Sequence, residues 1–320
     1  MYFVISISAA NAATVDLEPA ADTMVCEGVA ESNGAGTELF VGNTGESANL
    51  DTRRALLRWD LADRLPAGST ITAAALTVVV DRTNSAAATT VGIHPLARDW
   101  GEGNAFATGG QGRCAVAGAG DATWFSSMHP GAGWTNAGGD FGPNVLSTSG
   151  LAGVGTYTFP STPALVADVQ RWLDTPANDF GWILIGDEVP AASAKRFGSR
   201  EHTTNPPTLA VTFDPGPPGM SAPTPGTAGV QNTVTVSNAL PGAGVFLVFG
   251  TQAGNTAVPG CPGVSVDIAN AQIADSDLAD PSGNAVLGGA VPAGASGVPV
   301  RLQVVQPADC AVGTVLVHTF

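Results

Sequence analysis

The sequence predicts an all-β protein made of two β-rich domains, with one short helix in the first domain. Three observations predict this: short runs in which apolar and polar residues alternate, turn-forming residues between those runs, and one proline-rich stretch that divides the chain. Gly (41) and Pro (23) supply one fifth of the 320 residues, without the three-residue repeat of collagen. A hydrophobic content of 44% is too high for a disordered chain. Turn-rich folded domains are therefore expected.

The first thirteen residues are uncharged and end near the pattern Ala10-Asn11-Ala12. An apolar run before such an A-x-A pattern is typical of the end of a secretory signal peptide. We therefore expect residues 1–13 to be a signal-peptide remnant and the protein to be secreted, the alternative being an ordinary first strand. No other run reaches the ~18 apolar residues that a membrane-spanning helix needs, so no membrane span is expected.

Residues 14–213 are expected to form a first domain that is mostly β. Segment 54–61 alternates apolar and polar residues, as a half-buried strand does, whereas segment 71–80 is apolar on both faces, as a central strand is. Short apolar runs at 181–186 and 208–213 indicate further strands. The apolar spacing over 161–173 is instead helical, and Thr162 followed by Pro163 is typical of a helix start.

Residues 214–226 are expected to be a linker. Five prolines lie between Asp214 and Pro225, and such density interrupts helices and strand ladders, which predicts a stiff extended segment.

Residues 227–320 predict a smaller, immunoglobulin-like β-sandwich, because six short β-rich runs are separated by turn residues. The runs are Val230–Val236, Val245–Phe249, Val264–Ile268, Ala285–Leu287, Val300–Val305 and Val315–Phe320. The acidic stretch 275–284 does not satisfy the EF-hand ligand pattern and is interpreted as a loop and turn.

The four cysteines show no C-x-x-C pair and no spacing that suits zinc. Because the predicted linker separates the second cysteine from the third, we expect two disulfides, Cys26–Cys114 and Cys261–Cys310. Such bonds are typical of an oxidising, extracellular compartment. Four separate buried thiols are the alternative.

Charge excludes some partners. Twelve Lys and Arg residues against 27 Asp and Glu residues give a net charge of −15. Nucleic acids and anionic membrane surfaces bind clustered basic residues, so neither is expected as a partner.

Sequence motifs for catalysis are lacking, since the chain contains no H-E-x-x-H, G-x-S-x-G or P-loop motif. Carboxylates of the kind that hydrolyse glycosides occur in the first domain and could meet across a cleft, although nothing in the sequence indicates that they do. They are Asp99, Glu102, Asp168, Asp187 and Glu188. We therefore expect a protein that is not an enzyme. The one cofactor considered is a structural calcium, with Glu27, Glu31 and Asn33 as its ligands.

The six tryptophans form two groups. Trp59, Trp172 and Trp182 lie at apolar phases of a strand or helix and are expected in the core. Trp100, Trp124 and Trp134 lie in loops rich in Gly, Asn and Asp. Aromatic faces beside amides and carboxylates suit sugars, which have an apolar C–H face and polar edges. Two interpretations stay open: the loop rings contact a glycan, or they fill the end of the sandwich.

Ordered motifs across residues 14–213 resemble the DNRLRE (disaggregatase-related) domain, which is grouped with the family 96 carbohydrate-binding modules. They include Arg54-Ala-Leu-Leu-Arg-Trp-Asp-Leu61, Asp99-Trp-Gly-Glu-Gly103, Asp168-Val-Gln-Arg-Trp-Leu173 and Phe197-Gly-Ser-Arg-Glu201. The resemblance implies a secreted jelly-roll β-sandwich of the kind found beside polysaccharide lyases and in surface proteins. The C-terminal part looks like a small accessory sandwich of secreted bacterial proteins.

The predicted function is that of a secreted, non-catalytic carbohydrate-binding protein for an extracellular polysaccharide. Its predicted site is formed by Trp100, Trp124 and Trp134, with Arg54 and Arg58 as hydrogen-bond donors. The acidic chain, whose one basic cluster in sequence is 53–58, favours a neutral or weakly charged glycan. Two alternatives are a structural component of a cell surface or matrix without a glycan ligand and, least favoured, a polysaccharide-degrading enzyme.

Overall fold

The structure, a computed structural model, describes residues 12–45, 51–62 and 64–320. The predicted signal-peptide remnant therefore lies outside the described residues, apart from its last two positions. The chain divides into two compact units. We call residues 14–60 and 71–212 the first unit, and residues 213–320 with 61–62 and 64–70 the second. None of the helices in the described ranges has the length and hydropathy needed to cross a membrane.

Fifteen strands are described from Ala13 to Asp214. They are β1 (Ala13–Leu17), β2 (Ala21–Cys26), β3 (Glu31–Ser32), β4 (Glu38–Asn43), β5 (Thr52–Arg58), β6 (Thr70–Thr83), β7 (Thr89–Pro95), β8 (Ala115–Val116), β9 (Ser126–Met128), β10 (Ala132–Gly133), β11 (Ser147–Leu151), β12 (Gly155–Phe159), β13 (Trp182–Ile185), β14 (Lys195–Gly198) and β15 (Thr208–Asp214).

Most of these strands form two antiparallel sheets joined by β4. In one sheet β6 pairs with β12, β14 and β15, and β1 lies beyond β15. In the other, β5 pairs with β2 and β13, and β7 and β11 follow. Strand β4 pairs with β14 over residues 38–41 and with β5 over 42–43, so one strand turns the corner between the sheets. The all-β fold with one α-helix is confirmed, and its architecture is that of a β-sandwich.

The one α-helix among the described residues, α1 (Pro163–Asp174), starts and packs as predicted. Thr162 is its N-cap, and the Thr162 hydroxyl accepts a hydrogen bond from Leu165 N at 3.0 Å. The helix packs Trp172 against Trp59 and Trp182, whose ring centroids lie 6.2 and 4.6 Å away. All three rings are buried, so their expected place in the core is confirmed. A short 3-10 helix, Pro176–Asn178, follows.

The second unit contains ten further strands and a 3-10 helix, Ala293–Ala295. The strands are β16 (Gly219–Met220), β17 (Gln231–Ser237), β18 (Gly244–Gly250), β19 (Ala253–Ala257), β20 (Ser265–Ile268), β21 (Gln272–Leu278), β22 (Ala285–Ala290), β23 (Pro299–Gln306), β24 (Ala311–Val312) and β25 (Leu316–Thr319). Sheets β16-β17-β22 and β21-β18-β23-β24, the latter with β25 on β23, contribute buried residues to one hydrophobic cluster.

Each of the six predicted runs in this region overlaps a strand, but two predictions were wrong in part. Residues 272–278 form β21 rather than a loop, because its pairing with β18 uses the backbone while its side chains are mostly exposed. The proline-rich stretch also contains a ladder: β16 pairs with β17, since neither Gly219 nor Met220 is a proline and each keeps its N–H. The predicted domain boundaries stay predictions.

Both predicted disulfides are present. Cys26 is bonded to Cys114 with a Cα–Cα distance of 6.4 Å, and Cys261 to Cys310 with one of 5.4 Å. Each bond therefore lies within one unit and closes a long loop, which restricts the unfolded chain.

Candidate functional site

The three loop tryptophans are buried. Trp100 is 1%, Trp134 8% and Trp124 9% exposed, and they belong to one hydrophobic cluster. Trp100 Nε1 donates to Phe180 O at 2.8 Å, and Trp134 Nε1 donates to Thr123 O at 2.7 Å. Rings this deeply buried offer no open face on which a sugar can stack. This burial favours the interpretation in which the rings fill hydrophobic space, and the glycan contacts expected of these three tryptophans stay a prediction.

The two arginines predicted as sugar donors are engaged with the same cluster. The Arg54 guanidinium forms a bidentate ion pair with Glu188, at 2.7 and 3.0 Å, and lies 4.8 Å from the centroid of Trp124. Arg58 Nη1 lies 2.7 Å from Asp99 Oδ1, and its guanidinium lies 5.2 Å from the Trp100 centroid. These arginines cover the tryptophan rings through cation–π contacts.

The predicted buried face of segment 54–61 is confirmed, and the opposite face is more covered than the prediction implies at one position. Leu56 lies on the face of β5 that carries Arg54 and Arg58, yet it is completely buried within the tryptophan cluster. Loops pack over this face, so both faces of the strand are covered. The alternation of apolar and polar residues in the sequence reflects the arginines on this face. It carries no information about the loops that pack over them.

The carboxylates considered for glycoside hydrolysis have separate partners. Four of them pair with four different arginines, at Asp99–Arg58, Glu188–Arg54, Asp168–Arg171 and Glu102–Arg200, and Asp187 accepts a hydrogen bond from Val189 N. Each Arg pair holds its carboxylate in a structural contact.

The residues predicted to bind calcium also have other contacts. Both amide N–H groups of buried Asn33 are used, by Glu38 O and Gln111 Oε1, and Asn33 Oδ1 accepts from Ala107 N. Glu27 Oε2 accepts from Thr52 N at 3.2 Å. Asn33 acts here as a hydrogen-bonded joint between segments, and the calcium role of this set stays a prediction.

A polar cleft of about 230 Å³ lies elsewhere in the first unit. Its lining includes Phe40, Arg82, Asn84 and Arg113. Both arginines are exposed. We call it the Phe40 cleft. The cleft combines one aromatic ring, two guanidinium groups and an amide, which are the groups that bind an apolar sugar face and its hydroxyl edges.

Strand register brings Phe40 and Arg82 together. Phe40 on β4 pairs with Arg196 on β14, and Arg196 pairs with Arg82 on β6. Directly paired residues of antiparallel strands point to the same face, so the three side chains form a row. Arg196 is neutralised by Asp81, at 2.6 Å, and by Glu38, at 3.4 Å. Arg82 forms no ion pair within the described part of the chain.

The loop of residues 104–114 forms the other side of the Phe40 cleft and is held at several points. Gln111 Oε1 accepts from Asn33 Nδ2 and Glu38 N, both at 3.1 Å, and Gln111 Nε2 donates to Thr37 Oγ1 at 3.0 Å. Arg53 Nε donates to Gly112 O at 2.8 Å. The Cys26–Cys114 disulfide fixes the residue that follows Arg113.

Two non-glycine residues of this loop have left-handed backbone conformations. Gln111 and Cys114 have φ values of 63° and 55°, a region that non-glycine residues rarely adopt. Such residues persist where surrounding contacts determine the conformation, and they cluster at functional sites. A Cβ at Gly110 would lie 2.9 Å from Arg82 Nη1, so glycine there lets the arginine lie across the loop.

Sequence reasoning missed these cleft residues because they are far apart along the chain. Phe40 and Arg82 are aligned because strand β14 pairs with the strands of both residues. Arg113 lines the same cleft because the loop of residues 104–114 packs beside these strands. The one available signal was the position of Arg113 directly before Cys114, a residue already predicted to be in a disulfide.

The second unit contains an apolar cavity of about 420 Å³, lined by residues that include Leu247, Phe249 and Phe320. Its one amide, Asn232, is hydrogen-bonded at both ends, with Oδ1 accepting from Gly226 N and Nδ2 donating to Val230 O. A sugar needs polar partners, and this cavity offers few.

Residues 13–105 match the family model described as Carbohydrate-binding module family 96. This part of the chain is similar to carbohydrate-binding module family 96. The predicted resemblance is confirmed for these residues, and for 106–213 it stays a prediction. No match was found among curated proteins. The family 96 match covers β1 to β7 and includes Phe40 and Arg82.

Proposed function

We propose that the protein is a secreted, non-catalytic carbohydrate-binding protein that takes an extracellular polysaccharide into the Phe40 cleft. The observation that carries this proposal is the family 96 match, which contains three of the four sugar-binding types of side chain named above in the cleft: Phe40, Arg82 and Asn84. Arg113 supplies the fourth from the disulfide-bonded loop.

The cleft presents one apolar surface and several hydrogen-bond donors, which together suit a pyranose ring. The Phe40 ring, which lies against Gly112, packs with the apolar C–H face of the sugar. Arg82 and Arg113 donate hydrogen bonds to hydroxyl or carboxylate oxygens in a fixed fork. Binding by this cleft differs from the sequence-predicted site because it uses none of the buried tryptophans.

The cleft carries basic side chains although the chain as a whole is acidic. The net charge is −15, yet two exposed arginines border the cleft. Neutral and acidic sugars both remain in the ligand class, and salt separates them because screening weakens a charged contact.

The proposal also states that the protein is secreted and has no catalytic activity. Two disulfides and the family 96 match support an extracellular protein. Carbohydrate-binding module families are typically non-catalytic. The arginine partners of the candidate catalytic carboxylates support the same conclusion.

Native affinity electrophoresis of the full chain tests the proposal, using gels that contain neutral or acidic polysaccharides. We expect retardation by at least one polysaccharide, with no release of reducing ends or unsaturated products from it. Retardation by none of them would favour the structural-component alternative, and product release would favour an enzyme.

A further inference from the structure

We propose that Asp22, Glu102 and Glu201 form a calcium-binding site in the first unit, made of residues other than those of the Phe40 cleft and other than the calcium ligands expected from sequence. Three distant segments supply these side chains. Asp22 lies on β2, Glu102 follows β7, and Glu201 follows β14. One carboxylate oxygen of each lies within 4.8 Å of the others.

The backbone and one arginine hold the three carboxylates in place. Asp22 N donates to Glu102 Oε1 at 2.9 Å, and Arg200 N donates to Asp22 Oδ2 at 2.7 Å. Arg200 Nε lies 2.6 Å from Glu102 Oε1 and 2.9 Å from Glu201 Oε1. The group is therefore built by the fold from segments that are otherwise separate.

Asp22 provides the observation that points to a ligand. Its side chain is completely buried, and Asp22 Oδ1 has no hydrogen-bond partner in the described part of the chain. A buried carboxylate oxygen without a donor or a cation is unfavourable. Burial raises the pKa of Asp22 well above its ordinary value, and the charges of Glu201 and Glu102 raise it further. A bound cation removes both penalties.

The charge and chemistry of the group fit calcium. Three carboxylates against the single guanidinium of Arg200 leave two net negative charges, which one divalent cation neutralises. All the ligand atoms are oxygens, as calcium prefers, and calcium tolerates irregular geometry better than magnesium does. The side chains of Glu201 and Arg200 are 26% and 37% exposed, so an ion can enter from solvent.

A second acidic group in the first unit fits a cation less well. Glu38, Asp81 and His202 also lie within 4.8 Å of one another. Arg196 already pairs with both carboxylates, and His202 Nδ1 accepts from Asn205 N at 3.1 Å. Two carboxylates against one guanidinium leave that group a single net negative charge, half of what a divalent cation carries, and one nitrogen of the His202 ring is already in use.

The test measures calcium bound to the full chain after removal of metal with a chelator. We expect one calcium ion per chain by titration calorimetry and elemental analysis, and a rise in Tm on adding calcium. D22N and E201Q should each weaken calcium binding at least tenfold. E201Q changes a partly exposed side chain, so it remains informative if D22N folds poorly.

E31Q is the matched control because Glu31 belongs to the calcium set expected from sequence. It should bind calcium as the unchanged chain does. The proposal is overturned by absence of stoichiometric calcium, by unchanged binding in both D22N and E201Q, or by selective loss in E31Q. An equal rise in Tm with magnesium would overturn the assignment to calcium.

Discussion

At the scale of single residues, the environment of a side chain decides its role more than its type does. The sequence places Trp100 in a loop with polar neighbours, which suits either a sugar contact or a packed ring. The structure covers Trp100 with the Arg58 guanidinium and leaves it 1% exposed. Local sequence cannot distinguish the two interpretations, because the atoms that cover the ring come from β5, more than forty residues earlier.

Replacing Trp100 with Ala should therefore destabilise the first unit. Loss of a buried indole costs about 3–5 kcal/mol of unfolding free energy, through lost burial and the cavity left behind. Chemical denaturation followed by tryptophan fluorescence measures this, since all six tryptophans lie between residues 59 and 182. Normal stability with lost glycan affinity would instead identify Trp100 as a sugar contact.

The environment of Asp179 predicts that the stability of the fold depends on pH. Burial raises the pKa of Asp179 to about 7, against the opposing effects of a hydrogen bond from Gly181 N and the charge of Arg58. Since the pKa is higher in the folded than in the unfolded protein, the folded state binds the proton more tightly. Stability is therefore present at low pH and is lost as pH rises from about 4 to about 7.

Denaturation at pH 5 and pH 8 tests this. Asp179 should account for a loss on the order of 3 kcal/mol of stability between these pH values, in addition to the losses from other buried carboxyl groups whose pKa is raised. D179N, which keeps the acceptor oxygen, should show a smaller loss, whereas D16N, at an exposed position, should match the unchanged chain. A loss in D179N equal to that of the unchanged chain would contradict the role of Asp179.

At the scale of elements, hydrophobic patterning predicted what is buried and missed what is paired through the backbone alone. Helix α1, with its Thr162 cap, and the six runs of the second unit followed from residue spacing. Strand β21 could not be predicted in this way. Its side chains are mostly exposed, and its backbone pairing with β18 does not require a particular pattern of residue types. The Phe40 cleft was missed because the register that aligns Phe40 with Arg82 is a property of three strands together.

The loop of residues 104–114 predicts that one disulfide matters for binding and the other does not. Replacing Cys26 and Cys114 with Ser should weaken retardation by polysaccharide, because the strained backbone around Arg113 loses its anchor. Replacing Cys261 and Cys310 with Ser is the matched control and should leave retardation unchanged. Each pair of substitutions should cost about 2–5 kcal/mol in stability. Equal retardation of both variants would contradict the role assigned to the loop.

At the scale of the whole molecule, composition excluded partners but did not locate the site. The net charge of −15 did not predict that two exposed arginines lie at one cleft, because total charge carries no information on where charges lie. The order of the cysteines, by contrast, predicted both disulfides, and ordered motifs predicted the similarity to family 96. Global counts thus constrain the class of partner, and only the folded arrangement identifies the surface.

The most direct test of the central claim is to compare retardation of R82A, R113A and the unchanged chain in gels containing the polysaccharide that binds. R64A, at an exposed arginine outside the cleft, is the control. We expect R82A and R113A each to weaken binding about tenfold or more, as loss of a charged hydrogen bond does, with unchanged Tm for R82A, while R64A binds normally. Unchanged binding by both cleft variants would contradict the account.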